Sequence, residues 1–211
     1  MTQANRPVPR DKHNQKVQSS AQSSKEEKSQ SKNKPFEAKV KKAQQVAKDI
    51  EKRIDNLEGG FSHYETRQLV EDSQALGEAL AEVGLKTNQI RKFLDAVKRL
   101  KTQQRLDTRK KGKSNNENSD TSQNEEGLQT HPLTREVNSN LPLLLPQIAY
   151  AAAKQRKFDK KINSEFGPVD PLELVLKTAI KTVRNSDDLM RLSQFIESIV
   201  AYHKAAGGKD Q

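Results

Sequence analysis

Residues 87–111 read TNQIRKFLDAVKRLKTQQRLDTRKK. Ile90, Phe93, Leu94, Val97 and Leu100 recur every three or four positions, the period of one helix face. Thr87 or Asn88 supplies the cap at its start. Nearly half of the other positions are cationic. Between residues 86 and 113 there are eleven Lys and Arg against two Asp, a surplus of nine in a chain of net charge +10. One segment therefore holds both an apolar stripe and nearly all the excess charge.

The same period recurs toward the N-terminus. Ser62, with Glu65 three positions on, has the capping-box pattern. Tyr64, Leu69, Ala75, Leu76, Ala79, Leu80 and Val83 then predict a helix over 62–84, stopped by Gly84. That helix is acidic, with five acids and one Arg over 61–85. Before it, Val40, Ala43, Ala47, Ile50, Ile54 and Leu57 form a narrow heptad-like stripe, closed by Gly59-Gly60. Residues 36–60 read as a charged helical extension that forms against a partner. Residues 1–35, rich in Gln, Ser, Lys and Asn and without an aromatic, read as a disordered tail. They bury too little apolar area to offset about 1–2 kcal/mol of ordering entropy per residue.

Toward the C-terminus, residues 112–132 are polar and aperiodic and read as a disordered insertion. In LPLLLPQIAYAAAKQR (141–156), Leu141, Leu144, Leu145, Ile148, Ala149 and Ala152 keep helical spacing. Pro142 and Pro146 divide that stretch into a short helical piece and a regular helix running to about residue 160. Asp170 as cap and Pro171 at the first position open a helix whose inward face is Leu172, Val175, Leu176, Ala179, Ile180 and Val183. Ser186 caps the last helix, with Leu189, Leu192, Phe195, Ile196, Ile199 and Val200 inward and Gly207-Gly208 closing it. No segment alternates with period two. The predicted class is all-α: a compact five-helix bundle over 61–209, with the tail, the extra charged helix and the long polar insertion appended.

Composition removes several classes of function. The 211 residues are only 32% hydrophobic, so a core spread over the whole chain is not expected. The absence of Cys excludes disulfide scaffolds, thiol catalysis and Cys-ligated zinc, and fits a reducing cytoplasm. There is no apolar run long enough for a membrane span, and MTQANRPVPRDKHNQ is not read as a secretory signal. The four His (13, 63, 131 and 203) show no metal-ligand spacing, and no phosphate-loop, dinucleotide or nucleophile-elbow motif occurs. Neither enzyme nor cofactor is expected.

The basic helix carries the functional reading. At 100° per residue, Arg91, Lys98 and Arg105 fall near one line, and Lys92 and Arg99 near its neighbour. Lys101, Arg109, Lys110 and Lys111 extend the charge. Such a rail spans several phosphates and binds backbone, not base edges, so it is expected to be sequence-tolerant and salt-sensitive. A second basic cluster, Lys154, Arg156, Lys157, Lys160 and Lys161, follows Tyr150 and three alanines. From the residues alone three readings remain open. The rail binds a nucleic-acid backbone, as in a free-standing basic nucleic-acid-binding helical protein, or meets an acidic protein partner, or is only the solvated face of an amphipathic helix.

Three stretches together narrow the choice. LKTNQIRKFLDAVKRL (85–100) follows ALGEALAEVG, and LPLLLPQIAYAAAK (141–154) is followed, one helix later, by FIESIVAYHKAAGGK (195–209). In this order they resemble the small helical subunit of type III-A CRISPR Csm effector complexes, over roughly residues 62–209. The resemblance implies a non-catalytic five-helix bundle and antiviral defence. Its copies would stack in a filament beside the crRNA-bearing backbone subunits and the large polymerase-like subunit. They would line the channel for crRNA and target RNA. It implies that Arg91 and Lys92 face RNA while Ile90 and Phe93 are core. The sequence departs from the family pattern at Gln147 for Lys, Ala153 for Gly, Lys154 for Arg and Ser198 for Ala. Lys154 keeps the charge without the bidentate fork of Arg, and Arg156 is the expected compensation. His203 is expected to pack or cap. The candidate RNA-binding set is thus Arg91, Lys92, Lys98, Arg99, Arg105, Lys154, Arg156 and Lys157.

Overall fold

A computed structural model describes the backbone of residues 15–114, 131–158 and 166–210, and the side chains of 35–110, 131–156 and 166–210. In chain order the helices are α1 (Gln15–Asp55), α2 (Thr66–Glu82), α3 (Thr87–Ser114), α4 (Arg135–Asn140), α5 (Leu144–Phe158), α6 (Asp170–Thr182) and α7 (Ser186–Ala205). Short 3-10 turns sit at Phe61–His63 and Leu141–Leu143. Among the described residues there is no strand, and one isolated bridge joins Pro132 to Asn185.

The strongest apolar stripe lies at the centre. α7 buries Leu189, Leu192, Phe195, Ile196, Ile199 and Val200, and packs against α2, α3 and the Phe61–His63 turn. Phe61, Tyr64 and Phe195 form an edge-to-face cluster with ring centroids 5.5–5.8 Å apart. The α2–α7 crossing is close because α2 carries Gly77 there. A Cβ at that position would lie 2.8 Å from the His203 backbone nitrogen and 3.0 Å from the Ile199 carbonyl oxygen.

The charged extension turns out to be part of this core. Val40, Ala43, Ala47, Ile50 and Ile54 are all buried, with α1 packed along α6 and against α2. Ala43 and Ala47, both fully buried, let α1 lie close within this core. Arg53 of α1 reaches across to Asp72 of α2, with N···O distances of 2.6 and 2.8 Å. The Tyr64 hydroxyl donates to the same buried carboxylate. Burial and that bond hold the phenol far above its ordinary titration range.

Four local expectations need correction. First, α1 runs back to Gln15 with Pro35 inside it, through residues that composition assigns to the disordered tail 1–35. A helix already nucleated by packing propagates without paying nucleation again. Residues 1–14 lie outside the described residues. Second, the cap of α2 is Glu65, which accepts from the Gln68 N–H, while the Ser62 N–H donates to Asp188. Third, the cap of α7 is Asn185, in a reciprocal capping box with Asp188, one residue earlier than expected. Fourth, Asp170 lies inside the first turn of α6 and accepts from the Gly167 N–H at 2.6 Å, while Val169 occupies the cap without a side-chain bond. The basic helix α3 extends to Ser114, so most of the expected insertion 112–132 lies outside the described residues. The two prolines divide the 135–158 region as predicted, with Pro146 in the first turn of α5.

Candidate nucleic-acid interface

α3 places its charge by burying its other side. Ile90, Phe93, Leu94, Val97 and Gln104 face the core, between α7 on one flank and α4 and α5 on the other. The opposite ridge carries Arg91, Lys92, Arg99, Arg105, Arg109 and Lys110, all exposed. From Arg91 to Arg109 it spans about 27 Å at 1.5 Å per residue.

One member of the expected line is partly neutralised. Lys98 Nζ lies 2.9 Å from Glu197 Oε1 of α7. Both side chains are largely solvated, so the pair is weak and readily exchanged for another anion. The ion pairs among the described residues leave the other cations of the ridge out.

Two grooves flank the ridge. Between α3 and α5, Lys92, Phe93, Gln147, Tyr150, Ala151 and Lys154 line a groove of about 340 Å³. There Gln89 Nε2 donates to Gln155 Oε1 at 3.3 Å, tying the two helices together. The structure thus brings Lys92 beside Lys154, 62 positions on in the chain. Between α3 and the start of α7, Lys101, Arg105, Arg109, His131, Asp187 and Met190 line a second groove of about 480 Å³.

Arg156 is engaged by two carboxylates within the fold. Its Nε donates to Asp170 at 2.9 and 3.0 Å, and its Nη2 lies 2.7 Å from Asp170 and 3.2 Å from Glu173. The hydrogen bond to Asp170 raises its already high pKa. The fork that was expected to compensate for Lys154 is occupied in joining α5 to the first turn of α6. The side chain of Lys157, and Lys160 and Lys161 altogether, lie outside the described residues.

Sequence reasoning left Tyr150 out of the candidate set. It is 70% exposed, on the same edge of α5 as Lys154. Its position four residues before Lys154 was visible, but its exposure was not, because the alanines around it read equally well as core. His203, expected to pack or cap, is fully buried with Nε2 2.9 Å from the Leu85 carbonyl oxygen. Its Nδ1 faces Thr87 Oγ1 at 3.3 Å. Burial lowers its pKa, and its partners make it a structural group.

The described residues contain no group of three His, Asp or Glu that could hold a metal ion. Among the described residues no helix is long and apolar enough to cross a membrane. Neither the curated proteins nor the solved structures include a match to this chain. A protein-family model described as Csm2 Type III-A does match, over residues 63–209, and all but the first residues of the resemblance traced in the sequence fall inside that span. Because the match covers more than half of the chain, the protein belongs to the Csm2 family, the small subunit of the type III-A CRISPR Csm complex.

Proposed function

We propose that this subunit is a non-catalytic, RNA-backbone-binding element of the effector. It would line the channel that holds crRNA and target RNA, beside the backbone subunits, the large polymerase-like subunit and further copies of itself. The observation that carries the reading is the exposed α3 ridge, in which Arg91, Lys92, Arg99, Arg105 and Arg109 face solvent along one rigid helix. Two adjacent rows of cations without a base-reading element match a phosphate backbone and leave sequence recognition to guide–target pairing. Catalysis would belong to other subunits, and the work would take place in the cytoplasm.

The test is purification of the tagged protein from its host above about 0.3 M salt, where exposed charge contacts are heavily screened. The RNA that accompanies it is then sequenced. Discrete repeat-derived guide RNAs together with other interference subunits are the expected result. Ribosomal and transfer RNA alone, or no RNA, would overturn the reading. The same preparation from an Arg91→Glu, Arg99→Glu variant is expected to lose RNA while remaining folded.

A further inference from the structure

The groove between α3 and α5 has features that a backbone-binding rail does not need. Its floor is apolar, formed by Phe93 and Ala151, and its rim carries Lys92 on one side and Lys154 on the other. Tyr150 stands at the edge with 70% of its surface in solvent, the most exposed of the large hydrophobic residues described. An aromatic ring left in water in a groove lined by two cations lacks a packing role in the fold. Base–aromatic stacking beside phosphate-binding cations is how single strands are held independently of sequence.

We infer that this groove is a nucleotide subsite for single-stranded RNA, in which one unstacked base lies against the Tyr150 ring while Lys92 and Lys154 hold the phosphates on either side. The volume of about 340 Å³ is at the small end of ligand sites and suits one nucleotide. Gln147 on the same wall presents an amide that both donates and accepts. The subsite distinguishes an unpaired strand from a duplex, which the α3 ridge does not, because both faces of a base inside a duplex are covered by the stacked neighbouring pairs. It rests on the RNA reading above and adds a base contact to it.

The experiment uses the full-length chain. Tyr150→Trp introduces the only Trp in the protein, so its fluorescence reports the groove directly. Titration with a short single-stranded oligoadenylate is expected to quench that fluorescence. Tyr150→Ala is expected to weaken single-strand binding by at least about fivefold, with duplex RNA binding unchanged and Tyr150→Phe behaving as wild type. Tyr150 is exposed, so these variants keep the fold, which circular dichroism checks. Wild-type affinity of Tyr150→Ala for single strands, or equal losses for single strands and duplex, overturns the subsite. An Arg99→Glu, Arg109→Glu variant separates the two proposals. If it loses RNA while Tyr150→Ala does not, the subsite falls and the ridge stands. If the wild-type chain binds neither RNA, both fall.

Discussion

His203 Nε2 donates to the carbonyl oxygen of Leu85 across 2.9 Å, joining the last turn of α7 to the link between α2 and α3. The carbonyl only accepts, so Nε2 carries the proton, and Nδ1 is left toward the Thr87 hydroxyl. Thr87 also bonds to the Lys209 carbonyl through its hydroxyl and its N–H. The Tyr-His-Lys signature near the C-terminus is therefore a fastening for the start of the basic helix.

Burial holds the His203 pKa below its ordinary value, so the unfolded chain takes up this proton first. Its contribution to stability is complete above the ordinary pKa of about 6.5 and is lost as the pH falls below it toward the folded value. Urea unfolding at pH 7.5, 6.5 and 5.5 is expected to show the wild-type midpoint falling more steeply than that of His203→Gln. Parallel slopes would assign the pH dependence elsewhere.

Gly208 lies against the same ring. A Cβ there would come 2.1 Å from His203 Cε1 and 2.6 Å from the His203 carbonyl oxygen. Gly208→Ala should destabilise the fold by about 1–3 kcal/mol, as overpacking does, and Gly77→Ala by a similar amount at the α2–α7 crossing. Thermal melts would show either shift. An unchanged melting temperature for Gly208→Ala would mean that the C-terminal segment does not seat on His203.

The Arg53–Asp72–Tyr64 network joins α1 to α2. Tyr64→Phe removes one donor to a buried carboxylate and should lower stability by about 1–2 kcal/mol. Arg53→Ala leaves Asp72 without its charge partner, with a loss of about 1–3 kcal/mol, moderated because the guanidinium is partly in water. A double-mutant cycle should give a non-additive result, since both groups act on one carboxylate.

Arg156 and Lys154 should separate cleanly. Arg156→Ala is expected to lower the melting temperature and leave RNA affinity nearly intact, because Asp170 and Glu173 occupy its fork. Lys154→Ala should leave the melting temperature intact, weaken RNA binding and flatten the salt dependence by about one unit of slope. Anisotropy titrations at three salt concentrations, with melts of both variants, would measure this.

Truncation tests the role of α1. Removing residues 1–34 should leave a cooperatively folded bundle, because the buried stripe begins at Val40. Removing residues 1–60 takes away Val40, Ala43, Ala47, Ile50 and Ile54 and uncovers α6. That form is expected to unfold or associate. Equal melting temperatures for the two truncations would show α1 to be dispensable.

The helices themselves were legible in the sequence, because a period of three and four residues with few breakers leaves little other choice over 62–84, 87–111, 170–184 and 187–205. The concentration of charge on α3, and its direction away from Ile90, Phe93 and Val97, followed from the same spacing. The family resemblance was legible too, in three ordered stretches. Tertiary structure alone decided which residues meet. Val40, Ala43, Ala47, Ile50 and Ile54 mark a buried face in the sequence, but only the fold shows α1 packed along α6 and against α2. Nothing in the sequence marks Arg156 as a partner of Asp170 and Glu173, or Tyr150 as a residue whose turn of α5 faces water. Periodicity records how one helix divides its faces, whereas pairing and exposure depend on what packs against each face, and that is a property of the folded chain.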